Sequence, residues 1–400
     1  MRTWQGAQLR RLVREVYAAI PLWKQYFDLS GVAPESINSV YDLQRLPVTD
    51  KQFYSGKMTE EYVDTARMTG AYWHTTSGTS GRPFTFLATE RSYAAKYVDL
   101  ATLRFVRWKE GWHRDLHALK VARIKMRGPS LRHRLHVAVR DFLTTPQAVL
   151  KQIESFKPDI LTSYPSILLE SAQLLRQDPT IAHIRPRYVV SFGEMLTPAA
   201  RQLIGEAFQA EVYDRYAIEE VGAIGSECAK HDGFHIHMES IVVEVVDREG
   251  KCVPEGERGR VVVTDLFNSV MPFIRYDTGD EGRISTAPCS CGLRAPRVWI
   301  TGRYTASLTF SGRRIHHLEF DAALDGFMDR LLQYQIAKLS EDHLVARITP
   351  GPKFETRVLE QVEQALRPLL GKGVDIQVDV VPRLAIPERG KSKIVVDESL

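Results

Sequence analysis

Thr75-Thr76-Ser77-Gly78-Thr79-Ser80-Gly81-Arg82-Pro83 places five hydroxyl side chains and two glycines in seven positions, with a cation directly after them. Glycines permit tight turns and positive φ. Hydroxyls and backbone N–H groups then converge on one small volume, a good fit for a phosphate. Arg82 adds a fixed charge with a planar donor fork. The spacing is not that of a P-loop, because no Gly-Lys-Ser/Thr follows at the required offset. The G-x-S-x-G elbow of serine hydrolases is absent too. Tyr72-Trp73 before the loop and Phe84-Thr85-Phe86-Leu87 after it read as strands. A polar turn between two strands is a natural ligand loop.

Working outward, 400 residues suggest two or three domains. The composition, 44% hydrophobic and 26% charged, is that of a globular protein and excludes disordered and collagen-like classes. No run of 18 apolar residues occurs, so no transmembrane helix is expected. Met1-Arg2-Thr3-Trp4 lacks the apolar core of a signal peptide, and the expected location is cytoplasmic. Four cysteines in such a chain are too few for a disulfide scaffold.

Residues 8–28 place Leu9, Leu12, Val13 and Val16 at helical spacing, and Pro21 is expected to end that helix. Strands are predicted at 160–162 and 188–191, with helices at 165–177 and 197–208. This alternation implies an α/β core with a largely parallel sheet. Residues 241–246 and 260–264 read as two strands of a β-rich subdomain. From about 306 the pattern is that of a small α+β domain. It has helices near 317–332 and 354–370 and strands near 334–339, 343–348 and 374–380.

Residues 103–140 carry eleven Lys and Arg side chains, among them Arg104, Arg123 and Arg134, interleaved with Trp108 and Trp112. Such a run could face nucleic acid or an anionic membrane. A solvated helical face or a landing site for an acidic cofactor is favoured, and nucleic acid is not an expected partner.

Further motifs follow the loop in order. They are Ser191-Phe192-Gly193-Glu194, Tyr213-Asp214-Arg215-Tyr216-Ala217-Ile218-Glu219-Glu220, Phe273-Ile274-Arg275-Tyr276-Asp277-Thr278-Gly279-Asp280, Thr301-Gly302-Arg303 and Gly390-Lys391-Ser392-Lys393. Together with the loop they resemble the core motifs of the adenylate-forming superfamily, whose loop usually reads T-S-G-T-T-G-K-P. The nearest branch is similar to the phenylacetate–CoA ligase-like enzymes and their capsule-biosynthesis relatives. Leu46-Pro47-Val48-Thr49-Asp50-Lys51 resembles that branch too. The resemblance spans nearly the whole chain and rests on the ordered set of motifs.

It implies a nucleotide- and carboxylate-binding domain over 1–303 and a small mobile domain over 306–400, hinged near 304–306. The implied first step joins a carboxylate to ATP, giving acyl-AMP and pyrophosphate. The implied second step transfers the acyl group to a thiol, with coenzyme A as the default acceptor. A sugar amine or hydroxyl acceptor stays open, since Ala217 and Glu219 depart from the family pattern. A non-catalytic zinc module that binds nucleic acid is the more distant alternative. Oligomeric state, including a homodimer, is left open.

Thr76, Ser77, Gly78, Thr79, Ser80 and Gly81 would cradle the phosphates, and Gly193 and Glu194 would belong to the nucleotide site. Tyr216 offers a face for adenine, with Ala217 beside it. Asp280 can accept from both ribose hydroxyls, reinforced by Arg303. Glu220 would hold Mg²⁺, because a carboxylate beside a triphosphate is otherwise repelled. Lys391 would be the late cation that lets two anions meet, with Lys393 as its rival.

The Cys289-Ser290-Cys291-Gly292 knuckle, with Cys228 and His235 upstream, makes a Cys₃His set suited to structural zinc. Some members of the branch carry this pattern. His231 is the second candidate for the histidine.

Overall fold

The computed structural model describes residues 1–55, 57, 59–75, 84–89, 119–125, 134–304, 306–310, 312–371, 373–386 and 393–399. The chain forms two compact units. One comprises Met1–Trp112 with Arg215–Thr301, the other His113–Asp214 with Gly302–Leu400.

The first unit opens with two helices rather than one. The Arg2–Ala19 helix stops before Pro21, and Pro21 takes the first position of a second helix, Pro21–Ser30. A proline at that position lacks only an N–H that would be unpaired anyway, so it starts a helix as readily as it ends one. Leu9, Leu12, Val13 and Val16 face the core as the spacing predicts. The strands of this unit are antiparallel. Ile241–Val246 pairs with Gly259–Asp265, which pairs with Tyr276–Ser285. Phe234–Ile236 pairs with Gly222–Ser226 on one side and with Arg297–Arg303 on the other. The Glu211–Ile218 strand pairs with Gly222–Ser226. A separate hairpin joins Ala71–Thr75 to Thr85–Thr89. One apolar cluster, from Leu9 through Phe273 to Val298, unites the helices, the hairpin and the strands.

In the second unit Tyr188–Phe192, Ile160–Ser163, Val121–Lys125 and Arg134–Ala138 lie side by side in parallel. The Pro165–Gln177 and Pro198–Phe208 helices follow two of these strands, as the α/β alternation predicts. Arg123, read above as part of a basic surface, is 4% exposed within its strand. Residues 103–118 and 126–133 of that segment lie outside the described residues.

The C-terminal part of this unit has its own apolar core, running from Leu308 to Ile376. Its four-stranded sheet has the order Asp375–Val380, His343–Pro350, Leu331–Ser340, Val395–Asp397. The helix expected over 317–332 is shorter. It covers His317–Leu324, passes into a 3₁₀ turn at Asp325–Phe327, and yields to strand by Leu331. Asp325-Gly326 supplies the break, since both residues disfavour a helix interior. Among the described residues no helix is long and apolar enough to cross a membrane.

Candidate active site and metal cluster

Thr76, Ser77, Gly78, Thr79, Ser80, Gly81, Arg82 and Pro83 lie outside the described residues, and so does Lys391. The strands on either side of the loop pair in register, ending with Thr75 opposite Thr85 and their hydroxyl oxygens 3.2 Å apart. Asn268 Nδ2 donates to Leu87 O at 3.0 Å, which ties the returning strand to the core. Lys393 is exposed, just before the Val395–Asp397 strand.

Four of the expected site residues, Tyr216, Ala217, Asp280 and Glu220, belong to the first unit. Tyr216, on the Glu211–Ile218 strand, donates its hydroxyl to Asp280 Oδ2 at 2.7 Å, and both residues are buried. Asp280 lies inside the Tyr276–Ser285 strand, where register with the neighbour slips and Gly279 takes φ +77°. A slip of this kind re-aims side chains. A second irregularity falls between Tyr216 and Ala217.

Glu220 is buried and Glu219 is partly exposed. Tyr276 donates to Glu220 Oε1 at 3.1 Å, and Lys51 Nζ approaches the same oxygen at 3.5 Å. Burial, and then the Glu220 charge, hold the Tyr276 phenol proton far above its ordinary range, so this hydroxyl remains a donor.

Lys51 is a residue to which sequence reading gave no role. It begins the Lys51–Tyr54 helix, capped by Asp50, which accepts from the N–H groups of Gln52 and Phe53. The visible signal was the Thr-Asp-Lys helix start. Its meeting with Glu220 depends on pairing far along the chain. Thr49 bridges Tyr276, giving Asp277 N a carbonyl at 2.8 Å and taking the Arg275 carbonyl at 2.8 Å. Arg275 anchors this region. It is 1% exposed at φ +48°, donates Nε and Nη2 to the two oxygens of Glu244, and gives further hydrogen bonds to Leu46 O and Gly250 O.

Gly193, Glu194 and Arg303 belong to the second unit. Gly193 has φ +80°. Both carboxylate oxygens of Glu194 are engaged by Ser166, one by its N–H at 2.9 Å and one by its hydroxyl at 3.0 Å. This places a negative charge on the first turn of the Pro165–Gln177 helix, where it is favoured. Tyr164 and Phe192, whose rings are 5.0 Å apart, are buried in the apolar core of that unit. Arg303 ends the Arg297–Arg303 strand, and next to it Gly302 sits close to Leu318, His317 and Asp321. A β-carbon at Gly302 would come within 2.9 Å of these side chains.

The cysteine knuckle closes into a cluster. The ligand atoms of Cys228, His235, Cys289 and Cys291 all lie within 4.8 Å of one another. Cys228 Sγ is 3.8 Å from Cys289 Sγ, and Cys291 Sγ is 3.4 Å from His235 Nε2. A tetrahedral zinc with bonds of about 2.0–2.3 Å requires edges of about 3.5–3.8 Å. His235 Nδ1 lies 3.1 Å from Ala295 O, which orients the ring and leaves Nε2 to face the thiols. Burial lowers the His235 pKa, which favours the neutral form a metal needs. Burial also pushes the Cys228 thiol up to about 12. His231 turns elsewhere, with Nδ1 3.1 Å from Glu227 Oε2.

This architecture is that of the adenylate-forming ligases. Solved structures that share it include 2-hydroxyisobutyryl-CoA ligase in its postadenylation state, with a TM-score of 0.76 and 21% identity over 98% of this chain and 88% of that one. An anthranilate CoA ligase matches at a TM-score of 0.52 and 18% identity, over 80% of this chain and 65% of its own. Within that class the sequence relatives are phenylacetate–coenzyme A ligases. The Thermus thermophilus protein is 26% identical over 356 residues, covering 86% of this chain and 79% of its own length. That of Aromatoleum evansii is 26% identical over 428 residues, covering 99% of this chain and 94% of its own. No protein-family model matches the chain. The chain is thus similar to phenylacetate–CoA ligases over nearly its whole length, as its ordered motifs imply.

Proposed function

We propose that this chain is an ATP-dependent acyl- or aryl-CoA ligase. A carboxylate oxygen attacks the α-phosphorus of ATP, pyrophosphate leaves, and the acyl-AMP so formed passes its acyl group to the thiol of coenzyme A with release of AMP. The observation that carries this reading is the buried pair of Tyr216 and Asp280, in a unit that also holds Glu220. A tyrosine ring flanked by a carboxylate can take an adenine face and ribose hydroxyls together. Homology to phenylacetate–CoA ligases across 99% of the chain supports the same reaction class.

Loop 75–83 takes the phosphates, and Gly193, Glu194 and Arg303 are assigned by motif order alone. Glu220 would hold Mg²⁺, since its carboxylate offers the oxygen ligands that ion takes, with Tyr276 and Lys51 beside it. When bound, Mg²⁺ would neutralise charge on the phosphate chain. Lys391 acts in adenylation, carried by the 306–400 domain, whose separate core supports a boundary near 304–306. Zinc at Cys228, His235, Cys289 and Cys291 is structural, because four protein ligands leave no open position.

ATP–pyrophosphate exchange over a panel of aryl and alkyl acids tests the first half. Exchange with at least one acid is expected. Coenzyme A should then release AMP. Exchange without CoA-dependent AMP release would point to an amine or hydroxyl acceptor, and no exchange with any acid would count against the activity.

A further inference from the structure

One short strand, Phe234–Ile236, carries the cluster's histidine and a ring that reaches Tyr216. In Phe234–Ile236, adjacent side chains point to opposite faces. His235 turns to the cysteines, while Phe234 and Ile236 share the other face. Ile236 lies opposite Gly225, and Gly225 lies opposite Tyr216. Gly225 leaves a gap between them. A β-carbon there would stand 2.9 Å from Phe234 Cβ and 3.1 Å from His235 O. Through that gap the Phe234 ring reaches the Tyr216 ring, with centroids 6.1 Å apart at a tilt of 38°. Tyr216 in turn holds Asp280 at 2.7 Å.

Given that Tyr216 and Asp280 hold the nucleotide, as proposed above, we propose that Phe234 is the positioning residue behind them, and that the metal cluster acts on nucleotide affinity through it. Two features favour this over simple core filling. Phe234 is only partly buried, so it is no deep core anchor. It is also bonded directly to a member of the cluster, so any shift of His235 moves the ring's attachment point. The strand has only three residues and is held between Gly222–Ser226 and Arg297–Arg303. Its partner on the far side, Val298, lies next to Arg297, which pairs with His235.

The test is calorimetric titration of ATP into the full-length protein, with zinc counted on the same samples. Phe234→Ala is expected to keep its zinc and its melting transition while binding ATP about 3- to 10-fold more weakly, the range of one lost aromatic contact. In turnover, KM for ATP should rise with little change in kcat. Phe234→Leu, which restores volume without a ring, should recover part of the loss and serves if the alanine variant folds poorly. Stripping zinc from the wild-type protein should weaken ATP binding by a similar factor, and stripping it from Phe234→Ala should add little, because coupled effects do not sum. Unchanged ATP affinity in zinc-replete Phe234→Ala overturns the inference. So does metal removal that weakens both proteins equally. A wild-type protein that binds no ATP overturns the nucleotide reading as well, whereas wild-type binding with an indifferent Phe234→Ala overturns this inference alone.

Discussion

Glu220 and Arg275 show two ways in which a single side chain is committed by its surroundings. Glu220 is buried, takes one hydrogen bond from Tyr276 and has Lys51 at 3.5 Å. Glu220→Gln keeps the shape and removes the charge. It should lower adenylation and raise the Mg²⁺ concentration needed for half-maximal exchange, and Glu219→Gln should do neither. A reversed pair of phenotypes would shift the metal role by one residue. Arg275 is the buried partner of Glu244. Arg275→Met leaves that carboxylate buried without its cation, a loss of about 3–5 kcal/mol for pairs of this kind. Burial already raises the Glu244 pKa, and Arg275 opposes that rise. Without the arginine the folded pKa climbs further above the unfolded value. A carboxyl shifted upward destabilises the fold as pH rises through its folded pKa, and the penalty vanishes below the unfolded one. The variant's melting temperature should therefore recover on acidification, and a loss independent of pH would count against the assignment. The sequence made Tyr216, Asp280 and Glu220 legible, because motif order carries them. It did not make legible the bond between Tyr216 and Asp280, which are 64 residues apart, nor the approach of Lys51. Both depend on which strands become neighbours, and local pattern does not encode that.

At the scale of elements, periodicity served well where one face was plainly apolar. The helix read over 165–177 is Pro165–Gln177, and the strand read over 241–246 is Ile241–Val246. It failed at punctuation. Pro21 opens a helix instead of only closing one, and Asp325-Gly326 cuts short what looked like four turns. Hydrophobic spacing continues across such breaks, so only backbone preferences reveal them. The cysteine knuckle was legible as a ligand set with His235 first and His231 as the second candidate, and strand pairing turns His235 toward the thiols. For this element, Cys289→Ser should lose most of the bound zinc and lower the melting temperature, since metal affinity is folding free energy in such sites. Elemental analysis beside a thermal scan checks both. A metal-free wild-type protein with the same melting profile as the variant would remove zinc from the account.

For the whole molecule, the class of fold was readable from the alternation of strands and helices up to Phe208 and the β-rich reading of 241–264, whereas the antiparallel strands from Glu211 to Ile236 were not read. Membership of the C-terminal part in a compact unit with residues 113–214 was not, because it depends on contacts such as Thr197 Oγ1 donating to Leu331 O and Leu332 O at 3.0 Å. At this scale the proposed function turns on Lys391. If it arrives with the 306–400 domain to let two anions meet, Lys391→Ala should lower adenylation by on the order of 10²–10³-fold, the usual cost of one lost stabilising donor. Thiolysis of supplied acyl-AMP should be comparatively spared. Equal losses in both halves would indicate damage to the fold, and a defect seen only in Lys393→Ala would move the role two residues along.

The clasp between the segment around Thr49 and the Arg275 region sets a timetable for synthesis. Thr49 Oγ1 seeks a carbonyl 226 residues downstream. At translation rates of about 5–20 residues per second, that partner emerges on the order of ten to fifty seconds after Thr49 does. Throughout that interval the apolar faces of the Arg2–Ala19 and Pro21–Ser30 helices await strands not yet made, such as Ile241–Val246. In newly made chains these faces thus stay wet until their strands emerge, and slowing elongation lengthens that interval.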